Sequence, residues 1–103
     1  MQFDVYRNPS ANTSKRVPYI LNVQSDLLDS INTRVVVPLF TPEAMDKIVN
    51  TLTPEFTVEK QRVVMSTTEL ATVSARNLGK PVCSLSEHRN QIIAALDLLF
   101  TGI

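Results

Sequence analysis

The stretch LSEHRNQIIAALDLLFTGI, residues 85–103, decides what kind of domain this chain can build. Leu85, Ile92, Leu96, Leu99 and Ile103 recur at spacings of three, four and seven, which places them on one helical stripe, with Ile93 and Phe100 beside it. One face of the predicted helix is therefore buried. Ser84 followed three residues later by Glu87 fits a capping box, and Ser86 is an alternative N-cap. A helix over residues 87–100 would measure roughly 21 Å at about 1.5 Å per residue, enough to cross a small domain. It runs straight into Thr101-Gly102-Ile103, which leaves two compatible roles open. The helix closes a core, or its last residues form a contact surface.

Toward the amino end the apolar period changes from helical to alternating. Phe3, Val5 and Met1 alternate with Gln2, Asp4 and Tyr6, which predicts an opening strand with Tyr6 on the polar face. Residues 8–15 hold no apolar side chain larger than Ala and read as an exposed loop. Strands follow over residues 17–23 and 33–40. In the second, Val35, Val36 and Val37 are too consecutive for a strand with one wet face, so it is placed centrally. Pro38 cannot donate to a ladder and marks a bulge or a strand end. Thr41-Pro42-Glu43 carries the signals of a helix start and predicts a short helix to about Leu52. Residues 54–59 and 62–66 predict a hairpin turning at Lys60 and Gln61, although no Asn-Gly or Asp-Gly marks it. A further strand within residues 70–78 would end before the turn Gly79-Lys80-Pro81. The fold class is α+β and mostly β, with about five strands and a terminal helix covering one face of a curved antiparallel sheet. One domain over residues 1–103 is expected.

Composition narrows the function. With 44% hydrophobic and 19% charged residues the chain has the make-up of a folded protein. Ten basic residues offset ten acidic ones, so the electrostatic footprint of non-specific nucleic-acid binding is missing. Arg7, Lys15 and Arg16 lie close in sequence, and a solvated loop accounts for them. Cys83 is the only cysteine, which excludes an intramolecular disulfide and fits a reducing compartment. It has no CxxC or His neighbours, so neither a metal site nor a thiol nucleophile is indicated, and a small core hydrophobe is expected. No cofactor motif occurs. No apolar run reaches the roughly 18 residues of a membrane span, and residues 1–7 lack the pattern of a signal peptide. The expected location is cytoplasmic.

Between two predicted strands stands Val23-Gln24-Ser25-Asp26-Leu27-Leu28-Asp29. Adjacent leucines in a loop cannot easily both enter a core, although one can, so an apolar side chain is expected exposed beside the polar triplet. The alternative is a turn packed under the terminal helix.

This segment, together with Met1-Gln2-Phe3-Asp4-Val5-Tyr6, Val36-Val37-Pro38-Leu39, Leu85-Ser86 with His88-Arg89-Asn90, and Leu98-Leu99-Phe100-Thr101-Gly102-Ile103, resembles the CcdB toxins of ccd toxin–antitoxin systems. The resemblance runs in order from residue 1 to residue 103. It implies a homodimer of SH3-like antiparallel barrels, with about five main strands plus a small extra sheet and a carboxy-terminal helix. It further implies a bacterial, cytoplasmic, non-enzymatic topoisomerase poison that binds the A subunit of DNA gyrase and traps the cleaved-DNA complex. The implied gyrase-binding residues are Leu27, Leu28, Asp97, Phe100, Thr101, Gly102 and Ile103. Gln24, Ser25, Asp26 and Asn90 would border that surface or meet the antitoxin. A CcdA-like antitoxin with a flexible acidic tail would mask it, and DNA would be reached only through the antitoxin complex that represses the shared operon.

Three departures from the family pattern stand out. Thr101 replaces the Trp that precedes the final Gly-Ile in the best-known members, and loss of such an anchor often costs about 2 kcal/mol or more. Asp97 replaces a more usual Asn, and the Val73-Ser74 step lacks a usual Pro. Two other readings compete. The fold is shared with MazF-type endoribonucleases, which need a general acid and base and a cation for the phosphate; His88, Arg76, Arg34 and Asp26 are the candidates, with a surface or capping role the alternative for His88. A non-toxic homologue would account for Thr101 most simply.

Overall fold

In the computed structural model, which describes residues 1–102, the alternating and β-branched segments form seven strands. They are β1 (Asp4–Arg7), β2 (Tyr19–Asn22), β3 (Thr33–Phe40), β4 (Glu55–Val58), β5 (Gln61–Met65), β6 (Ala71–Ser74) and β7 (Cys83–Ser84). The apolar stripe at the end forms the helix α1 (Arg89–Thr101). The strands run in the order β4-β5-β3-β2-β1-β7, with β6 also on β3 and every pairing antiparallel. This is a nearly closed, mostly β barrel carrying one helix, the α+β architecture expected. The expected small extra sheet is not separate, because β3 pairs with β6 along Thr33 to Val36 and with β5 at Leu39 and Phe40, so one sheet holds all seven strands.

Pro38 explains how β3 serves two partners on one edge. The Val23 N–H donates to the Val35 carbonyl at 3.0 Å, so by alternation Val35, Val37 and Leu39 bond toward β2 and Pro38 faces the other edge. There β6 has ended and β5 begins, and the Pro38 carbonyl accepts the Ser66 N–H at 3.0 Å. The missing donor thus falls at a change of partner, inside the strand and not at its end.

The barrel interior holds Phe3, Val5, Tyr19, Leu21, Val37, Leu39, Phe56, Val58, Val63, Met65 and Leu85, and α1 plugs it with Ile92 and Ala95. Ile93 and Leu96 pack at the margin. Each fully buried aliphatic of this kind contributes about 1.5–3 kcal/mol. A second cluster of Tyr6, Ile20 and Val36, flanked by Val73 and Leu78, covers the outer face of β1–β3. Both faces of β3 are therefore apolar, which accounts for its consecutive valines. It also corrects the placement of Tyr6, which is buried, because residues 73–78 fold over the face predicted to be wet.

Other departures have local causes. The opening strand starts at Asp4, since residues 1–4 form a turn closed by Asp4 N–H to the Met1 carbonyl at 3.1 Å, with Phe3 at φ 71°. The helix predicted from Thr41 reduces to a single 3-10 turn, Pro42–Ala44, after which Met45 is extended. Ile48 and Val49 are exposed, so a helix there would bury no apolar face, and Thr53 Oγ1 takes the Val49 N–H at 2.8 Å instead. The β4–β5 hairpin turns one residue early, at Glu59 and Lys60, both at positive φ, with Val58 opposite Gln61. Glu59 holds that tip against the first strands by accepting from Tyr19 Oη at 2.6 Å and Arg7 Nη2 at 2.9 Å. The strand expected within residues 70–78 is only β6, followed by a 3-10 turn Ala75–Asn77. The capping box does not form: a 3-10 turn Ser86–His88 precedes α1, and Ser84 Oγ accepts the Ser86 N–H at 3.1 Å.

Candidate functional site

The Gln-Ser-Asp triplet is the frame of a turn. Ser25 Oγ accepts the Leu27 N–H at 3.2 Å and caps the 3-10 turn Asp26–Leu28, while Asp26 Oδ1 accepts the Gln2 N–H at 2.7 Å. Gln24 ties the turn to the sheet, its Oε1 accepting the Val35 N–H at 3.0 Å and its Nε2 donating to the Leu28 carbonyl at 3.3 Å. With every polar partner spent on the backbone, the turn stands off the barrel. Leu27 is 93% exposed and Leu28 46%. Both leucines, and not one alone, are thus exposed beside the polar triplet, and the alternative of a turn packed under α1 does not hold.

Sequence reasoning missed Ile31, which is exposed three residues after Leu28 and whose N–H donates to the Leu28 carbonyl at 3.0 Å. The signal was there in the Leu27-Leu28-Ile31 spacing. Met1, also exposed, is carried to the same region by the Gln2 to Asp26 bond. These apolar side chains stand exposed on a polar frame and take no part in the buried core.

At the far end of α1, Asp97, Phe100, Thr101 and Gly102 are all exposed. Thr101 Oγ1 donates to the Asp97 carbonyl at 2.7 Å, so the one-turn spacing of these two residues is real but runs through backbone. Gly102 ends the helix at φ 75° with its N–H on the Leu98 carbonyl at 3.0 Å, the left-handed C-cap that glycine adopts at least cost. Asn90 is exposed in the first turn, beside a depression that also takes in Thr51, Pro54, Gln91 and Ala94. Ile103 lies outside the described residues. Among the described residues no hydrogen bond or ion pair links the Asp26–Leu28 turn to α1, so the two halves of the expected surface are organised separately.

The candidates for acid–base chemistry each have a structural setting of their own. The His88 ring lies 5.1 Å from that of Phe56, Asp26 is held by Gln2, Arg34 binds loop carbonyls, and Arg76 is exposed in its own turn. Cys83 is half-buried on β7, and burial, with Glu59 and Asp4 nearby, raises its thiol above the ordinary value. Among the described residues no cluster of three or more His, Cys, Asp or Glu could hold a metal ion, and no helix is long and apolar enough to cross a membrane.

The fold is a small barrel capped by one helix. The toxin MazF-mt6 of Mycobacterium tuberculosis superimposes with a TM-score of 0.70 over 97% of this chain and 96% of that one. At 14% identity the likeness is one of fold. The CcdB protein family matches residues 2–102, essentially the whole chain, and the protein belongs to that family. It is thereby placed among the toxins of toxin–antitoxin systems.

Proposed function

We propose that this protein is a gyrase poison. It binds the A subunit of DNA gyrase and holds the complex in which DNA is cleaved, so that replication and transcription meet a protein-linked break. The chemistry of cleavage is gyrase's own. The toxin supplies only differential affinity, and a preference of about 5.5 kcal/mol for the cleaved state would carry an equilibrium from 1:99 to 99:1.

The observation that carries this reading is the pair of exposed leucines on a turn framed by the side chains of Gln24, Ser25 and Asp26, in a chain of the CcdB family. The docking surface comprises Leu27, Leu28, Asp97, Phe100, Thr101, Gly102 and Ile103, bordered by Gln24, Ser25, Asp26 and Asn90. Phe100, 69% exposed, supplies the aromatic contact that Thr101 cannot. A homodimer would present two such surfaces to a two-fold symmetric target. A CcdA-like antitoxin would cover them in the bacterial cytoplasm and bring the pair to operator DNA. The engagement of Asp26 by Gln2 and of Arg34 by loop carbonyls, with the His88 ring against Phe56, supports a non-enzymatic role over a MazF-type ribonuclease.

The test is a supercoiling assay with purified protein, gyrase and plasmid. Inhibition with accumulation of linear plasmid after denaturation is the expected result. RNA cleavage with gyrase untouched would transfer the protein to the ribonuclease class, and activity in neither assay would make it a non-toxic homologue.

A further inference from the structure

The loop that carries the exposed leucines is tied at its entry by Gln24 and Asp26 and at its exit by Arg34. Arg34 leaves β3 on the face that also carries Val36, and its side chain is only 17% exposed although it serves a surface loop. Its Nη1 donates to the carbonyls of Ile31 at 2.5 Å and Thr33 at 2.9 Å, and its Nη2 donates to the carbonyl of Asp29 at 3.3 Å. The Asp29 carboxylate lies 3.9 Å from the same nitrogen. One planar cation thus gathers three carbonyls from a five-residue arc. The Ile31 N–H returns to the Leu28 carbonyl, and the Gln24 side chain reaches that same carbonyl from the other side. The guanidinium is therefore connected through one residue, Ile31, to the base of the leucine turn.

We propose that Arg34 is a positioning residue for gyrase docking, fixing the arc behind Leu27 and Leu28 so that these side chains and Ile31 are presented in one arrangement before the partner arrives. The proposal rests on the gyrase-binding reading above. Its physical content is preorganisation: a loop already ordered loses little freedom on binding, whereas an untethered one must be ordered at the partner's expense. The three carbonyls are near solvent, so removing the cation lets water take its place and leaves the barrel intact.

The experiment compares wild type, Arg34→Gln, Arg34→Lys, Leu28→Ala and the Arg34→Gln/Leu28→Ala double variant for binding to purified gyrase A subunit. Amide exchange and thermal midpoint are followed in parallel. Arg34→Gln is expected to weaken binding roughly tenfold with faster exchange confined to residues 27–33 and an almost unchanged midpoint. Arg34→Lys, which keeps the charge but not the fork, should recover part of the loss. Leu28→Ala should cost less in the Arg34→Gln background than alone, because the two changes act on one surface. Full affinity of Arg34→Gln beside a weakened Leu28→Ala would overturn the positioning role while the docking reading stood. Faster exchange throughout the barrel with a lowered midpoint would also overturn it, making Arg34 a general stabiliser. If Leu28→Ala binds as wild type, the docking reading itself fails and the positioning role goes with it.

Discussion

Two tyrosines and no tryptophan make the hydroxyls of this protein readable one by one. Tyr19 is raised above the ordinary value of 10.0, first by burial and then by the Glu59 carboxylate that accepts its hydrogen bond at 2.6 Å. Tyr6 is raised as well, first by burial and then by Asp4. In both cases the folded state holds the proton more tightly than the unfolded chain. Their contribution to stability is therefore complete below the unfolded value near pH 10 and is lost as pH rises through the folded values. An ultraviolet titration should show no tyrosine ionising at its ordinary position until the fold gives way, and in Tyr19→Phe the alkaline loss of stability should shrink. Ionisation of a full tyrosine equivalent at the unperturbed value, with the fold intact, would contradict the burial described. The site is least legible at this scale. Leu27 and Leu28 announce themselves in the sequence, but their common exposure depends on where Gln24, Asp26 and Arg34 send their bonds, and periodicity does not reveal those partners, of which Gln2 and Val35 lie in other segments.

Elements were read correctly where periodicity had a packing partner. The apolar stripe of α1 and the consecutive valines of β3 follow from burial, and Ile92 and Val37 are indeed fully enclosed. The predicted helix after Thr41 failed because cap signals without a buried face carry little weight, as the exposed Ile48 and Val49 show. Substituting Ile92→Ala should cost about 2–5 kcal/mol by opening a cavity between α1 and the barrel. Thermal unfolding would register it plainly, against a change within about 0.5 kcal/mol for Leu27→Ala on the surface. The β4–β5 turn offers the reverse experiment. Lys60 sits at φ 66°, a conformation that costs a residue with a Cβ about 1 kcal/mol, so Lys60→Gly should stabilise by up to roughly 0.5 kcal/mol after its own entropic cost. A lower midpoint for that variant would show that the Lys60 side chain has a role outside the turn.

For the molecule as a whole, the barrel is a rigid mount and the functional reading concerns what stands on it. Its closing contacts run from the Glu59 tip to Arg7 and Tyr19, on elements other than the Asp26–Leu28 turn, so the surface can change while the fold holds. Family membership was legible because its signatures lie in segments spread from Met1 to the end of α1, and the match over residues 2–102 agrees. Dimer formation should appear in light scattering as twice the 11.5 kDa chain mass. The decisive measurement is the yield of linear plasmid in a gyrase cleavage reaction, compared between the native protein and its Leu27→Ala/Leu28→Ala variant at equal folded concentration. The native protein should accumulate linear DNA and the doubly substituted one should fall by tenfold or more, as loss of a central apolar anchor of about 2 kcal/mol would dictate. Equal yields from the two proteins, or none from either, would contradict the claim that this turn grips gyrase.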